Sequence, residues 1–155
     1  MPPCENNPKC TNRTCPVLNR KVKLGANPDS IISMRPSWSF YKCDKEGRWA
    51  FTNEALGEDF WSTIMPRLKS FEQLSWGDLE GKENHFVKVD TLNKCARDRL
   101  DELLIVEEQL FSLKIANTLR VYGIRQKSTL FVLWYDNDHG DNDTCVCRSY
   151  KKHTH

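Results

Sequence analysis

Residues able to do chemistry gather in the stretch LRVYGIRQKSTLFVLWYDNDHG, from Leu119 to Gly140. Strand-like alternation places Arg120 and Tyr122 on one face of a strand. The planar guanidinium of an arginine matches the oxygens of a phosphate. His139 directly follows the apolar run, and histidine gains or loses a proton near neutral pH. The stretch therefore predicts a site that binds phosphate and transfers protons.

A structural interpretation of the same stretch stays open. Arg120 would then pair with an acid such as Glu108 or Asp136 at the edge of a sheet. DNDHG, which contains His139, is also ordinary turn composition. The residue types alone do not decide between the two interpretations.

A second group of candidates lies in KENHFVKV, where His85 and Lys88 could form a basic rim together with Lys82. Glu80 and Glu83 dilute that charge, so a solvated loop is the alternative. A P-loop, a dinucleotide-binding fingerprint, a nucleophile elbow and a His-Glu-x-x-His motif are all absent from the sequence, which disfavours those enzyme classes.

Seven cysteines form the third group. An odd number in a chain expected to be cytoplasmic favours free thiols or metal ligands over disulfides. None of the spacings is a Cys-x2-Cys pair, so the zinc signal is weak. A structural zinc joining the two ends of the chain remains a hypothesis, beside free thiols or adventitious disulfides, while Cys43 and Cys95 are interpreted as structural. The candidate metal ligands are Cys4, Cys10, Cys15, Cys145 and Cys147.

The composition describes one domain of 155 residues, 39% hydrophobic and 28% charged, with a net charge of +2. This balance neither favours nor excludes a nucleic-acid partner. The sequence contains neither an apolar run of membrane-spanning length nor a signal peptide at MPPCENNPKC. We therefore expect a cytoplasmic protein without a membrane partner.

Three regions are predicted along the chain: an irregular Cys/Pro-bearing extension over 1–35, a folded domain over 36–140, and a Cys/His tail over 141–155. Within the domain, SWSFYK and the apolar end of CDKEGRWAF predict a strand hairpin. The spacing of apolar residues in EDFWSTIMPRLKSFEQLSW predicts a helix. Pro66 either breaks this helix or begins a second helical segment.

DTLNKCARDRLDELL predicts a second helix, with Cys95 on its buried stripe. QLFSLKI, TLRVYGI and TLFVLWY predict three strands, and their short connections require antiparallel neighbours. The last strand is apolar on both faces, so it should be covered on both sides. The expected fold is α+β, with a small antiparallel sheet made of the N-terminal hairpin and a C-terminal three-stranded meander, and two helices packed on one face.

The order of several motifs resembles the RelE/ParE superfamily of bacterial toxins from toxin–antitoxin systems. The resemblance covers roughly 37–140 and is closest to the branch in which a strand ends in an apolar-Trp-Tyr/Trp-Asp-x-x-His run. The chain is longer and more nearly neutral than RelE-like toxins usually are, and it lacks the lysine-rich cluster of the best-known member. The motifs are WSFYKCD, FWSTIMPRLKSFEQLSWGDL, NHFVKV, LFSLKI, LRVYGI and LFVLWYDNDH.

The resemblance implies a function as well as a fold. RelE-like members cut messenger RNA in the ribosomal A site without a metal, through attack by the ribose 2′-hydroxyl, and ParE-like members inhibit DNA gyrase without nuclease activity. It also implies a cognate antitoxin that is acidic or amphipathic. A zinc-stabilised interaction protein is a third hypothesis, from another class. By resemblance, Arg120 contacts the scissile phosphate, His139 is the acid, Tyr122 or Tyr135 orients the base or the phosphate, and His85 and Lys88 contact the RNA backbone.

Overall fold

A computed structural model describes residues 31–141 and 144–147. They form an α+β domain around one five-stranded mixed sheet of order β1-β5-β4-β3-β2. β1 runs parallel to β5, and the other neighbours are antiparallel. The strands are β1 (Ser37–Ser39), β2 (His85–Lys88), β3 (Gln109–Lys114), β4 (Arg120–Gln126) and β5 (Thr129–Asp136).

The meander of β3, β4 and β5 confirms the prediction from the short connections. Arg120 pairs with Lys114 on one side and with Asp136 on the other. A bulge between Tyr122 and Gly123 shifts the register of β4 against β5. Bulges increase the local twist of a sheet and redirect side chains.

The predicted N-terminal hairpin is wrong. β1 pairs with β5, and no strand forms over 43–51. Asp44 is buried in this segment and accepts two hydrogen bonds from the Arg99 guanidinium. These bonds hold the segment against the helix Lys94–Glu102, which carries Arg99. Trp49 and Phe51 then pack into different cores, on opposite faces of the sheet. Apolar spacing suggested a strand, but a buried carboxylate determines the path of the chain.

The helices cover both faces of the sheet, which corrects the expectation of one face. One core holds α2 and α3 against Phe111 and Val121, and the other holds α4 against Leu110 and Tyr122. Buried residues on both faces of β5 confirm that this strand is covered on both sides. The helices are α1 (Asn53–Leu56), α2 (Met65–Phe71), α3 (Trp76–Leu79) and α4 (Lys94–Glu102), with a π-helical turn at Phe60–Ile64 and a 3-10 turn at Val89–Thr91.

The prediction for Pro66 is confirmed, and the prediction for Cys95 is wrong. Pro66 lies in the first turn of α2, directly after the π-helical turn, as the second-segment interpretation predicts. Cys95 is exposed on α4 and does not belong to the buried stripe, which Ala96 and Leu100 form instead. The helix is shorter than predicted because it begins after Asn93.

The last described residues close the second core. Cys145 and Val146 are fully buried, and Cys147 forms an isolated antiparallel bridge with Leu92. The indole nitrogen of Trp49 donates to the carbonyl oxygen of Thr144. Residues 144–147 thus pack as part of the folded domain.

Candidate functional site

Three polar side chains meet above the sheet at the hydroxyl of Tyr122. His139 Nδ1 lies 3.5 Å from this oxygen and Cys147 Sγ lies 3.0 Å from it. Ser112, the cross-strand neighbour of Tyr122, also hydrogen-bonds to the phenol. Tyr122 is fully buried, whereas His139 is half-buried and reaches solvent. The phenol can therefore orient His139, while only the imidazole is able to touch a substrate.

Arg120 lies on the same face of β4 as Tyr122 and binds the turn that precedes β4. Its Nη1 donates to the carbonyl oxygens of Ala116, Asn117 and Leu119. Its position beside Asp136 fits the structural interpretation, but the hydrogen bonds described for its guanidinium go to the backbone. Arg120 thereby stiffens the β3–β4 turn at the edge of the site.

The loop after β5 is anchored at both ends, which fixes His139. The backbone N–H of His139 donates to the carbonyl oxygen of Thr118, in the turn that Arg120 holds. Asp136, 1% exposed, accepts from the N–H groups of Asp138 and Val146. Its two carboxylate oxygens thus hold together the segments that carry His139 and Cys147.

Burial and nearby cations lower the pKa of His139. Burial of the imidazole is the largest cause, followed by the positive charges of Arg120 and His85. Each disfavours the charged imidazolium. At neutral pH the ring is therefore uncharged, and it is better suited to accept a proton than to donate one. The resemblance implied the opposite role, that of an acid.

Burial raises the pKa of three groups around His139. Burial raises the pKa of the Tyr122 phenol, and the adjacent Cys147 raises it further. Burial also raises the pKa of the Cys147 thiol. For Asp136, burial raises the pKa, although hydrogen bonds from two backbone amides and the charge of Arg120 act against it. The Tyr122 hydroxyl and Cys147 thiol are thus neutral hydrogen-bonding groups at pH 7.

His85 belongs to this face of the sheet and Lys88 does not. His85 pairs with Ser112, which pairs with Tyr122, so the three form one row across β2, β3 and β4. Side chains alternate along a strand, so Lys88 points to the opposite face. His85 is exposed at the rim of the cluster.

Tyr135 also lies on the opposite face from Tyr122. It pairs with Val121, and its hydroxyl donates to Asp59 at 3.1 Å. Burial, followed by the hydrogen bond to Asp59, raises the pKa of Tyr135 to about 12. Tyr135 and Lys88 are therefore placed apart from His139.

The candidate zinc ligands divide between described and undescribed residues. Cys4, Cys10 and Cys15 lie outside the described residues. Cys145 and Cys147 are free thiols, and Cys145 Sγ donates to the Cys147 carbonyl oxygen at 2.6 Å. Among the described residues, no three His, Cys, Asp or Glu side chains are grouped closely enough to hold a metal.

Comparison with known proteins gave no match: no protein-family model, curated protein or solved structure is significantly similar to this chain. In residues 31–141 and 144–147, no helix is long and apolar enough to cross a membrane.

The site is separate from the cavity at the end of α4. A cavity of about 630 Å³ is present near the end of α4, but Arg120, Tyr122 and His139 do not line it. A half-buried imidazole that reaches solvent beside cations is accessible to a polymer that lies across the surface.

Sequence reasoning found Arg120, Tyr122 and His139 because alternation and strand order are local signals. It missed the anchoring role of Asp136, because that role depends on the hydrogen bond from the Val146 N–H, ten residues later in the sequence. It named Cys147 as a metal ligand and missed its contact with Tyr122. The position of Asp136 at the end of an apolar strand was the available signal.

Proposed function

We propose that this chain is a metal-independent endoribonuclease of the toxin type, which cleaves RNA through attack of a ribose 2′-hydroxyl on the adjacent phosphate. The observation that carries the proposal is the convergence of Arg120, Tyr122 and an uncharged, solvent-reaching His139 on one sheet face. On the resemblance to RelE-like toxins, we propose messenger RNA at the ribosome as the substrate and a cognate antitoxin as the partner.

The hydrogen-bond arrangement around Tyr122 supports His139 as the base. A phenol has one hydrogen to donate. When the phenol donates this hydrogen to Cys147 Sγ, which is closer to it than His139 Nδ1, the phenol oxygen is able to accept from His139 Nδ1–H. In that tautomer Nε2 carries the free electron pair and is able to receive the proton of a 2′-hydroxyl.

The reaction then requires three contributions. His139 Nε2 removes the proton as the 2′-oxygen bonds to phosphorus. The cation of Arg120 favours the negative charge that develops on the phosphoryl oxygens. An acid gives a proton to the departing 5′-oxygen, which leaves one product with a 2′,3′-cyclic phosphate and the other with a 5′-hydroxyl.

The test uses a synthetic messenger RNA, both free and bound in the ribosomal A site, with primer extension to locate cuts. We expect cleavage by the wild-type chain in EDTA, and none of RNA with 2′-O-methyl groups at the cut site. His139→Gln should reduce the rate about 10²- to 10⁴-fold, the range typical of general acid–base catalysis.

Lys69→Gln is the matched control, because Lys69 is an exposed cation on α2, on the opposite side of the sheet. It should cleave at the wild-type rate. Full activity of His139→Gln, or cleavage of the 2′-O-methylated RNA, would contradict the mechanism. Arrest of bacterial growth by wild-type chain but not by His139→Gln would connect the chemistry to toxicity.

A further inference from the structure

His85 stands on the same surface as His139 and reaches it electrostatically. The row from His85 through Ser112 to Tyr122 spans two strand spacings, which is about 10 Å between backbones. The Tyr122 phenol extends upward from that row, and His139 lies at its hydroxyl. The positive charge of His85 disfavours a proton on His139, so the two rings lie within electrostatic range. His85 and the Tyr122 that contacts His139 therefore lie on one face of the sheet.

The other polar groups around His85 are already engaged. Lys114, two residues beyond Ser112 and on the same face, forms an ion pair with Glu83. The guanidinium of Arg120 is hydrogen-bonded to three backbone carbonyl oxygens. Tyr122 is buried.

The remaining neighbours do not supply an acid either. The pKa of Cys147 is raised by burial, so its thiol does not exchange a proton readily at neutral pH. Asp136 is buried, and both of its oxygens accept from backbone amides. Among the described residues, His85 is an exposed histidine on the same face of the sheet as Tyr122, and histidine is the residue type most often used as a general acid.

We propose that His85 is the second catalytic residue of this site, a general acid that donates its proton to the departing 5′-oxygen. This inference rests on the endoribonuclease function proposed above and assigns the acid that the reaction needs. The 2′-oxygen bonds to phosphorus while its proton passes to His139. The bond from phosphorus to the 5′-oxygen breaks, and that oxygen takes the proton of the His85 imidazolium. His85 ends neutral and His139 ends protonated, so exchange with water restores both.

The assignment gives the two histidines complementary proton states. Burial favours the neutral form of His139, whereas His85 is exposed and lies two residues after the anionic Glu83. A pair of groups in different environments can supply a base and an acid at one pH. The cleavage rate should then rise with pH as His139 loses its proton.

The test compares two RNA substrates that differ in one atom. One is ordinary RNA, and the other has sulfur in place of the departing 5′-oxygen at the cut site. A thiolate leaves without help from an acid, so loss of an acid should matter only for the oxygen substrate. We expect His85→Gln to slow cleavage of the oxygen substrate about 10²- to 10⁴-fold and to cleave the sulfur substrate at nearly the wild-type rate.

His139→Gln separates the two roles, because loss of a base should slow both substrates. His85 is exposed, so His85→Gln should fold, and equal melting temperatures would verify this. Wild-type rates of His85→Gln on ordinary RNA would overturn the inference, as would an equal loss on both substrates, which indicates binding or folding instead. Failure of the wild-type chain to cut ordinary RNA would instead refute the endoribonuclease function itself.

Discussion

At the scale of single residues, Arg120 acts on His139 in two ways. Its guanidinium holds the carbonyl oxygens of the β3–β4 turn, and the turn in turn receives the His139 N–H at Thr118. Its charge also disfavours protonation of the imidazole. Both the position and the pKa of His139 thus depend on the Arg120 side chain. Removal of the Arg120 guanidinium should therefore have a measurable effect on His139.

Arg120→Gln should raise the pKa of His139 toward the ordinary value of about 6.5. Burial remains the larger cause, so we expect a partial rise. A base works when it is unprotonated, so the acid limb of the pH–rate profile should move to higher pH by the same amount. NMR titration of the His139 ring measures the pKa directly.

Lys69→Gln serves as the control for this titration, because it removes one positive charge on the opposite side of the sheet. An unchanged His139 pKa in Arg120→Gln, or an equal shift in both variants, would contradict a local effect of Arg120. The titration needs no substrate, so its result is independent of the proposed reaction.

At the scale of the elements, α4 ends in a left-handed residue that is not glycine. Leu104 has φ 56° and is 86% exposed. The N–H of Ile105 donates to Leu100 O and that of Leu104 to Asp101 O, the pattern of a Schellman cap. A side chain in the left-handed region costs about 1–2 kcal/mol, which glycine avoids.

Leu104→Gly should therefore stabilise the protein by about 0.5–1 kcal/mol, after the greater flexibility of glycine in the unfolded chain is subtracted. Chemical denaturation would measure the change in the free energy of unfolding. Leu104→Ala is the matched control, because it removes the leucine atoms beyond Cβ and keeps the Cβ that strains the left-handed backbone. A decrease in stability for glycine would show that the exposed leucine itself contributes contacts.

A second element-scale feature is the carboxylate that fixes 43–51. Asp44, 3% exposed, accepts from Arg99 Nε and Nη2 and from Trp134 Nε1. Burial alone would raise the pKa of Asp44, but these hydrogen bonds and one from the Glu46 amide outweigh it, so the pKa is lowered. The ionised form is thus the one that stabilises the fold.

Asp44→Ala should destabilise the protein by about 3–5 kcal/mol, because it leaves a mostly buried guanidinium and a buried indole N–H without their partner. Glu102→Ala is the control: it removes the other carboxylate bound to Arg99, which is 64% exposed, and should cost less than about 1 kcal/mol. Urea denaturation of both variants gives the comparison. Equal losses would contradict the importance of burial.

At the scale of the whole molecule, the predictable part of the fold is the local part. Short connections required the β3–β4–β5 meander, and strand alternation placed Arg120 beside Tyr122. The path of 43–51 depends on Arg99, fifty-five residues from Asp44, and no local pattern reports that contact. Tyr135 could have been excluded by pairing β4 with β5, which sets it beside Val121.

The C-terminal segment is the whole-molecule feature most open to experiment. Ending the chain after Gly140 removes the buried Val146, the carbonyl oxygen that the Trp49 indole binds, and one of the two backbone N–H groups that Asp136 accepts from. We expect a loss of about 3 kcal/mol or more from burial and unpaired polar groups together. Thermal melting would measure it.

A chain ending after Cys147 is the matched control, because it keeps each of these contacts. It should melt close to the full-length protein. Equal melting of the chain that ends after Gly140 would refute the structural role of 144–147.

The parallel pairing of β1 with β5 has a consequence for folding. Ser37 and Thr129 are 92 residues apart in sequence, whereas the strands of the meander are joined by short turns. Contacts between distant residues form slowly because a long loop must close first. During synthesis β1 emerges long before its neighbour, and β5 folds onto β4 with its other edge still open. The edge of β5 is therefore the place where a nascent chain is most exposed to mispairing with another strand.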